Sequence, residues 1–152
     1  MDFMGPNREE AEKIFIVVEN AQGDELEAGK VVEWTATATD ADQGKKVELV
    51  DAAISTTAGI GGHKVAGVVD STISTADIGR LQIFGPANVR ASASYDAATL
   101  VAAGSINATN LGHVTSVVGH SDHGINYVAA LVGWTLEAGP NATNATVQLY
   151  CT

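Results

Sequence analysis

The segment Lys64–Ala91 constrains the fold more than any other part of this chain, because β-branched residues alternate there with glycine and turn-forming residues. β-Branched residues favour strands, whereas glycine marks places where the backbone turns or is closely approached. The pattern predicts a strand at Val65–Asp70, a turn at Asp77–Arg80 and a second strand at Leu81–Phe84. Gly85-Pro86 predicts a corner before a further strand, because proline lacks the N–H that a ladder uses.

Similar short apolar runs separated by turns fill the rest of the chain, and no long segment has the 3.6-residue period of a helix. We therefore predict an all-β fold, a compact sandwich or barrel of short antiparallel strands with Gly-rich turns. A short N-terminal arm (1–13) would precede a single β domain (14–152). The clearest further strands are Ile14–Glu19, expected to be buried on both faces, Val31–Thr37, Val47–Leu49, Leu111–Val118, Tyr127–Leu136 and Ala145–Cys151.

The segment around Asp96 is ambiguous at the level of sequence. Asp96 could cap a short helical turn over Ala97–Ala103, with Gly104 ending it. A loop, or a turn that precedes a strand, fits the same residues equally well.

A weak internal echo links two parts of the chain. The run Val65–Val69 resembles Leu131–Thr135, with a glycine at the centre of each. Each run is followed by a turn and then by an alternating strand, Leu81–Phe84 in one case and Val147–Tyr150 in the other. We interpret this as two similar strand-turn-strand units in one sheet system, a pattern too short to show a duplication.

Charge argues against several classes of partner. The 152 residues carry a formal net charge of −10, with 18 acidic and 8 basic side chains. Without a basic stripe, direct binding to nucleic acid or to an anionic membrane surface is not expected. No apolar run is long enough to span a bilayer and the N-terminus has no apolar signal segment, so we expect synthesis in the cytoplasm. The single cysteine, Cys151, leaves no internal disulfide.

The charges are unevenly distributed along the chain. Asp122 and Glu137 are the only Asp, Glu, Lys or Arg residues within 97–152. Either small polar residues face water in this region, or another protein covers much of its surface, because charged residues are depleted at the centre of interfaces.

Three histidines form the clearest candidate metal site. His113, His120 and His123 fall close together in the sequence, and Asp122 lies among them. Imidazole and carboxylate groups are ligands for zinc and other transition metals, but no H-E-x-x-H motif is present. A polar loop tip that touches a partner is the alternative, and we predict no bound metal.

Other catalytic patterns are missing from the sequence. No G-x-S-x-G nucleophile motif occurs, and Cys151 lies next to the last residue of the sequence, a poor position for alignment with a base. The acidic residues near Asp24 and Asp40 are typical of a solvated face. Trp34 and Trp134 lie in alternating strands, where we expect core packing rather than a carbohydrate-stacking platform. We therefore predict a protein that is not an enzyme and has no cofactor.

Three motifs taken together resemble the small capsid decoration, or cement, proteins of tailed bacteriophages. The resemblance covers most of residues 14–152 and is a pattern of strands and turns. The motifs are V-x-N…L-x-A-G-x-V-V-x-W (Val18 to Trp34), A-G-V-V-D…I…D-I-G-R-L-Q-I-F-G…V (Ala66 to Val89) and G-W-T-L-E-A-G…V-x-L-Y-C (Gly133 to Cys151).

The resemblance implies a structural virion protein that binds the outer surface of the capsid, commonly as a homotrimer, and stabilises the shell. Its partners would be the major capsid protein and other copies of itself. Candidate contact residues are Phe3, Arg8, Trp134 and Tyr150. The alternative is a β-sandwich module that binds carbohydrate or a host surface, which predicts exposed aromatic residues on one face.

Overall fold

The computed structural model describes residues 12–35, 44–50, 65–91, 100–103, 112–116, 131–136 and 144–150. Every regular element in these ranges is a β-strand, which confirms the predicted all-β class. No helix within them is long and apolar enough to cross a membrane. The strands are β1 (Ile14–Asn20), β2 (Val31–Trp34), β3 (Lys46–Leu49), β4 (Val65–Val69), β5 (Ile78–Val89), β6 (Leu100–Ala103), β7 (Val114–Ser116), β8 (Leu131–Thr135) and β9 (Ala145–Tyr150).

The strands form one sheet in the order β1-β3-β2-β4-β5-β9-β8-β6-β7. Because β1 also pairs with β5, the first five strands close into a barrel. Pairing between these named strands is antiparallel except where β1 runs parallel to β3. A closed barrel satisfies the backbone groups that an open sheet leaves unpaired at its edges.

The long strand β5 belongs to two parts of the sheet. Its first half, Ile78–Phe84, pairs with β1, and its second half, Phe84–Val89, pairs with β9. Between the halves, Gly85 has a φ of 91°, and a Cβ there would collide with the carbonyl oxygen of Glu12. A residue without a side chain is therefore required where β5 passes from one part of the sheet to the other.

A buried side chain also supports the bend in β5. The amide nitrogen of Gln82 donates hydrogen bonds to the carbonyl oxygens of Phe84, at 3.1 Å, and Pro86, at 2.9 Å. Gln82 is only 4% exposed. These bonds link the two sides of Gly85 through one buried side chain.

The remaining strands form a second ring. An isolated parallel bridge between Ala91 and Val114 brings β7 back beside the chain two residues beyond the end of β5. We refer to β1–β4 with Ile78–Phe84 as the first unit, and to Gly85–Ala91 with β6–β9 as the second unit. Among the described residues, this bridge is the pairing at which the second ring closes, whereas the barrel of the first unit closes through the pairing of β1 with both β3 and β5.

The two units have the same strand register. Gly67 lies opposite Val32 in the first unit, as Gly133 lies opposite Val101 in the second, and the neighbouring strand is bulged at the same step in each. The internal echo in the sequence therefore corresponds to a structural repeat of five strand segments. Further residue pairs of the first unit also have equivalents in the second. Val68–Gln82 corresponds to Trp134–Gln148, and Val69–Leu81 corresponds to Thr135–Val147. Trp34–Val47 corresponds to Ala103–Val114, and Asn20–Val47 corresponds to Ala91–Val114.

Each unit has its own hydrophobic core, to which every buried aliphatic side chain contributes about 1.5–3 kcal/mol. The first core contains Val18, Leu26, Val32, Val47, Ala66, Val69, Ile73 and Leu81, with Trp34 packed against it. The second core contains Ala87, Val89, Ala91, Val114, Val132, Ala145, Val147 and Leu149, together with Val31, Val50, Val65 and Val68 from the first unit. The prediction that Trp34 packs on the core is confirmed.

Three details of the sequence prediction are wrong. Ile14–Glu19 is not buried on both faces, because β1 is a wall of a barrel and only one face points inward; Val17 is 68% exposed. Asp77–Arg80 is not a turn: the chain turns earlier, with Ala76 at a φ of 58°, and β5 has already begun at Ile78. Gly85-Pro86 is a bend within one continuous strand rather than a corner between two strands.

The ambiguity after Asp96 is partly resolved. The backbone of Leu100–Ala103 is a strand, which excludes a helical turn there and agrees with the alternative of a turn before a strand. Asp96 itself lies outside the described residues. The division into an arm and a single β domain remains a prediction, and residues 1–11 lie outside the description.

Candidate interaction surface

Exposed apolar residues are concentrated on the outside of the first unit. Phe15 is 36% exposed, and Val17 and Ile78 are each 68% exposed. Ladder pairing places Val17 beside Arg80 and Ile78 beside Glu19, so these residues lie on adjacent strands of one face. We call Phe15, Val17 and Ile78 the outer patch.

Charged residues border the outer patch, and they are paired within the chain. Arg80 forms an ion pair with Asp70 at 2.7 Å, and its guanidinium carbon lies 5.2 Å from the centre of the Phe15 ring. Lys46 lies 3.9 Å from Glu19 on the other side. The charges of these four bordering residues therefore cancel in pairs, although the chain as a whole is strongly acidic.

A second cluster of charges lies where the two units meet. Glu27 contacts Arg90 at 2.6 Å and Lys30 at 3.3 Å, and the hydrogen bond and charge of Lys30 lower the pKa of Glu27. The backbone N–H of Arg90 donates to the carbonyl of Gly29 at 2.8 Å. These contacts join the turn before β2 to the residue that follows β5.

His113 lies beside this cluster, at the start of β7. Its burial lowers its pKa, and the nearby cations Lys30 and Arg90 lower it further, whereas the backbone of Ala91 and the charge of Glu27 act in the opposite direction. Neutral imidazole is therefore favoured at this position.

Only one of the four residues of the predicted metal site lies within the described ranges. His113 is described, whereas His120, Asp122 and His123 lie outside the described residues. Within the described ranges, no group of three or more His, Cys, Asp or Glu side chains is arranged to hold a metal ion. The prediction of no metal is therefore untested for the loop that carries most of the candidate ligands.

The predicted contact residues are also only partly placed. Phe3 and Arg8 lie outside the described residues. The backbones of Trp134 and Tyr150 lie on β8 and β9, opposite Gln148 and Phe84 respectively, and the description of these two residues ends at the backbone. Their role in binding stays a prediction.

Sequence reasoning missed the outer patch. Ile14–Asn20 is apolar at nearly every position, and we interpreted such a run as a strand buried on both sides. The signal that was available is the antiparallel context: a barrel wall buries one face, so a run of this kind must leave apolar side chains on the other.

Comparison with known proteins gives a fold relationship and nothing closer. No protein-family model matches the chain, and no curated protein matches it. Among solved structures, the chain is similar to the N base of head fiber gp8.5 from bacteriophage phi29, with a TM-score of 0.54 and 8% sequence identity. The match covers 93% of this chain and 97% of the phage chain. At this identity, the likeness shows the fold alone.

Proposed function

We propose that this chain is a structural protein of a bacteriophage virion that binds the outer surface of the capsid and stabilises the shell. The observation that carries the proposal is the fold shared with a phage head fiber base over nearly the full length of both chains. A match of this extent compares whole architectures rather than a common motif. The sequence motifs that resemble decoration proteins point to the same class of protein.

Two further observations support a structural role rather than catalysis. The outer patch is apolar and its border is neutral, as expected of a surface that packs against another protein. The segment 97–152 is almost free of charge, as is the centre of a typical interface. The proposed partners are the major capsid protein and further copies of this chain, arranged as a trimer on the shell.

The proposal can be tested with purified empty shells assembled from the major capsid protein encoded alongside this chain. Shells with and without the protein are sedimented, and their disruption is followed on heating and on addition of a chelator. We expect co-sedimentation at a saturating ratio and a higher disruption temperature for decorated shells. If the protein stays in the supernatant, or binds without raising that temperature, the proposed function is wrong.

The same protein preparation distinguishes the proposed function from the alternative, a module that binds carbohydrate or a host surface. A carbohydrate- or host-binding module would bind a glycan array or host cells and leave shell disruption unchanged. Among the aromatic residues whose side-chain burial is described, which exclude Trp134 and Tyr150, Phe15 alone is exposed, and Arg80 partly covers its ring. A single covered ring does not favour a stacking platform for sugars.

A further inference from the structure

The repeat within the chain provides an internal control for the outer patch. Phe15 and Pro86 lie opposite equivalent glutamines, and Val17 and Asn88 lie opposite Arg80 and Thr146. By the same register, Ile78 is equivalent to Asn144. The second unit thus has proline and asparagine where the first has phenylalanine, valine and isoleucine, so this arrangement of strands does not need apolar residues there.

Exposed apolar side chains that the fold does not require are typical of a contact surface. Leu136 is the one large apolar side chain of the second unit that is exposed among the described residues. The other four, Ile14, Phe15, Val17 and Ile78, lie together on the first unit. The apolar excess is therefore a local property of one face.

The segment that leads into β1 has the chemistry to cover this face. Residues 1–11 precede Glu12 and Lys13, after which begins the strand that carries Phe15 and Val17. They include Met1, Phe3 and Met4, and Asp2 is the only charged side chain in residues 1–7. An apolar segment with few charges matches an apolar surface whose border is neutral.

We infer that the outer patch of each copy binds residues 1–7 of a second copy of this chain. The length of the N-terminal segment decides whether residues 1–7 can bind the outer patch of their own copy or only that of a neighbouring copy. A segment that turns at Gly5-Pro6-Asn7 uses residues 8–11 to leave β1 and residues 1–4 to return, at about 3.3 Å per residue. Phe3, the second residue on the way back, then stops short of Glu12 and so does not reach Val17. The inference names a contact for the proposed oligomer and rests on that part of the proposed function.

Two variants test whether residues 1–7 of one copy bind the outer patch of another copy. The first lacks residues 1–7 and keeps the outer patch. The second keeps residues 1–7 and carries Val17→Asn with Ile78→Asn, which gives the first unit the residues of the second. Asn88→Ser, on the equivalent face of the second unit, is the matched control.

Oligomeric state is measured for each protein alone and for the mixture by size-exclusion chromatography with light scattering. We expect the intact chain and Asn88→Ser to associate, each variant alone to be monomeric, and the mixture to form a one-to-one complex. A mixture that stays monomeric overturns the inference, as does an intact chain that is monomeric at every concentration tested.

Direct binding supplies a readout that does not depend on assembly. A fluorescent peptide of residues 1–11 is titrated into the chain that lacks residues 1–7. We expect saturable binding that is weakened about tenfold or more by Val17→Asn with Ile78→Asn and unchanged by Asn88→Ser. Equal urea midpoints for the two substituted chains exclude loss of folding as the cause. Equal affinity for the two overturns the inference, and the shell sedimentation result remains an independent test of the proposed function.

Discussion

The first and second units have the same strand register. They differ in the side chains that face solvent and in the residue at the end of their first strand segment. The first unit exposes the outer patch, whereas the second has the half-buried Pro86 and the exposed Asn88 and Asn144 at the equivalent positions. The first unit also has a buried asparagine, Asn20, where the second has Ala91. What the units share is needed for the fold, so what differs between them points to function or to local stability.

The shared features are glycines and buried aliphatic residues rather than identical sequences. Gly67 and Gly133 both have a φ near 155°, and a Cβ on either would press on the carbonyl oxygen of an equivalent glutamine, Gln82 or Gln148. Val18 and Val89 are buried at equivalent places in the two cores. The repeat is thus maintained by close backbone approach and burial.

The largest effect is expected at the two equivalent glycines. Gly133→Ala would drive a Cβ into the Gln148 carbonyl and should cost about 3 kcal/mol of unfolding free energy or more. Gly67→Ala meets the Gln82 carbonyl at 2.9 Å and should cost about 2 kcal/mol. Urea denaturation measures both, with Gly23→Ala as a control because nothing lies within 4 Å of its Cβ position. A larger loss of stability at Gly67 than at Gly133 would contradict the order expected from the distances between the added Cβ and the glutamine carbonyl.

A smaller effect is expected at Asn20, which holds two loops of the first unit. Its amide nitrogen donates to the carbonyls of Asp24, at 2.9 Å, and Ile73 and Ser74, each at 3.1 Å, and its oxygen accepts from the N–H of Gln22 at 2.8 Å. Asn20→Ala leaves these buried groups unsatisfied and should cost about 2–3 kcal/mol. Asn20→Asp keeps one oxygen but sets a buried carboxylate oxygen against the carbonyl oxygens of Asp24, Ile73 and Ser74, so it should cost at least as much as Asn20→Ala in urea denaturation. An Asn20→Ala protein as stable as the parent would show that the hydrogen bonds are replaced by water.

Sequence alone predicted the fold class, the positions of most described strands and the echo between Val65–Val69 and Leu131–Thr135. It did not predict that β5 is one strand. Asp77-Ile78-Gly79 is typical of a turn, yet Ala76 takes the positive φ, and Gly79 is a glycine because the side chain of Ile73 occupies the space a Cβ would need. Glycine has several uses that a sequence pattern does not distinguish.

The candidate site was less predictable than the fold. The outer patch depends on which face of β1 points into the barrel, and that is decided by pairing with β3 and β5, partners distant in sequence. The contact between Glu27 and Arg90 likewise joins residues far apart in the chain. Local patterns carry no information about such pairings, because strand register is set by the assembled sheet.

Gln82 tests whether the bend in β5 needs support from a side chain. Gln82→Leu removes the bonds to the carbonyls of Phe84 and Pro86 and should cost about 1–2 kcal/mol. The equivalent Gln148 is half-buried, and Gln148→Leu should change stability by no more than about 0.5 kcal/mol. Both are measured by urea denaturation. Equal losses would indicate that the two glutamines have one shared role in the repeat rather than a special role at the bend.

The smallest effect concerns pH and the charges where the two units meet. Because the pKa of His113 is lower in the folded protein than the unfolded value of about 6.5, the unfolded state binds more protons, and stability falls as pH drops through that value. Lys30, Arg90 and Glu27 face the imidazole, and Glu27, with its own pKa lowered, stays charged in this range. His113→Gln should therefore flatten the dependence of unfolding free energy on pH between about 5 and 7. His63→Gln is the control, and a slope that persists in His113→Gln would assign the effect to another group.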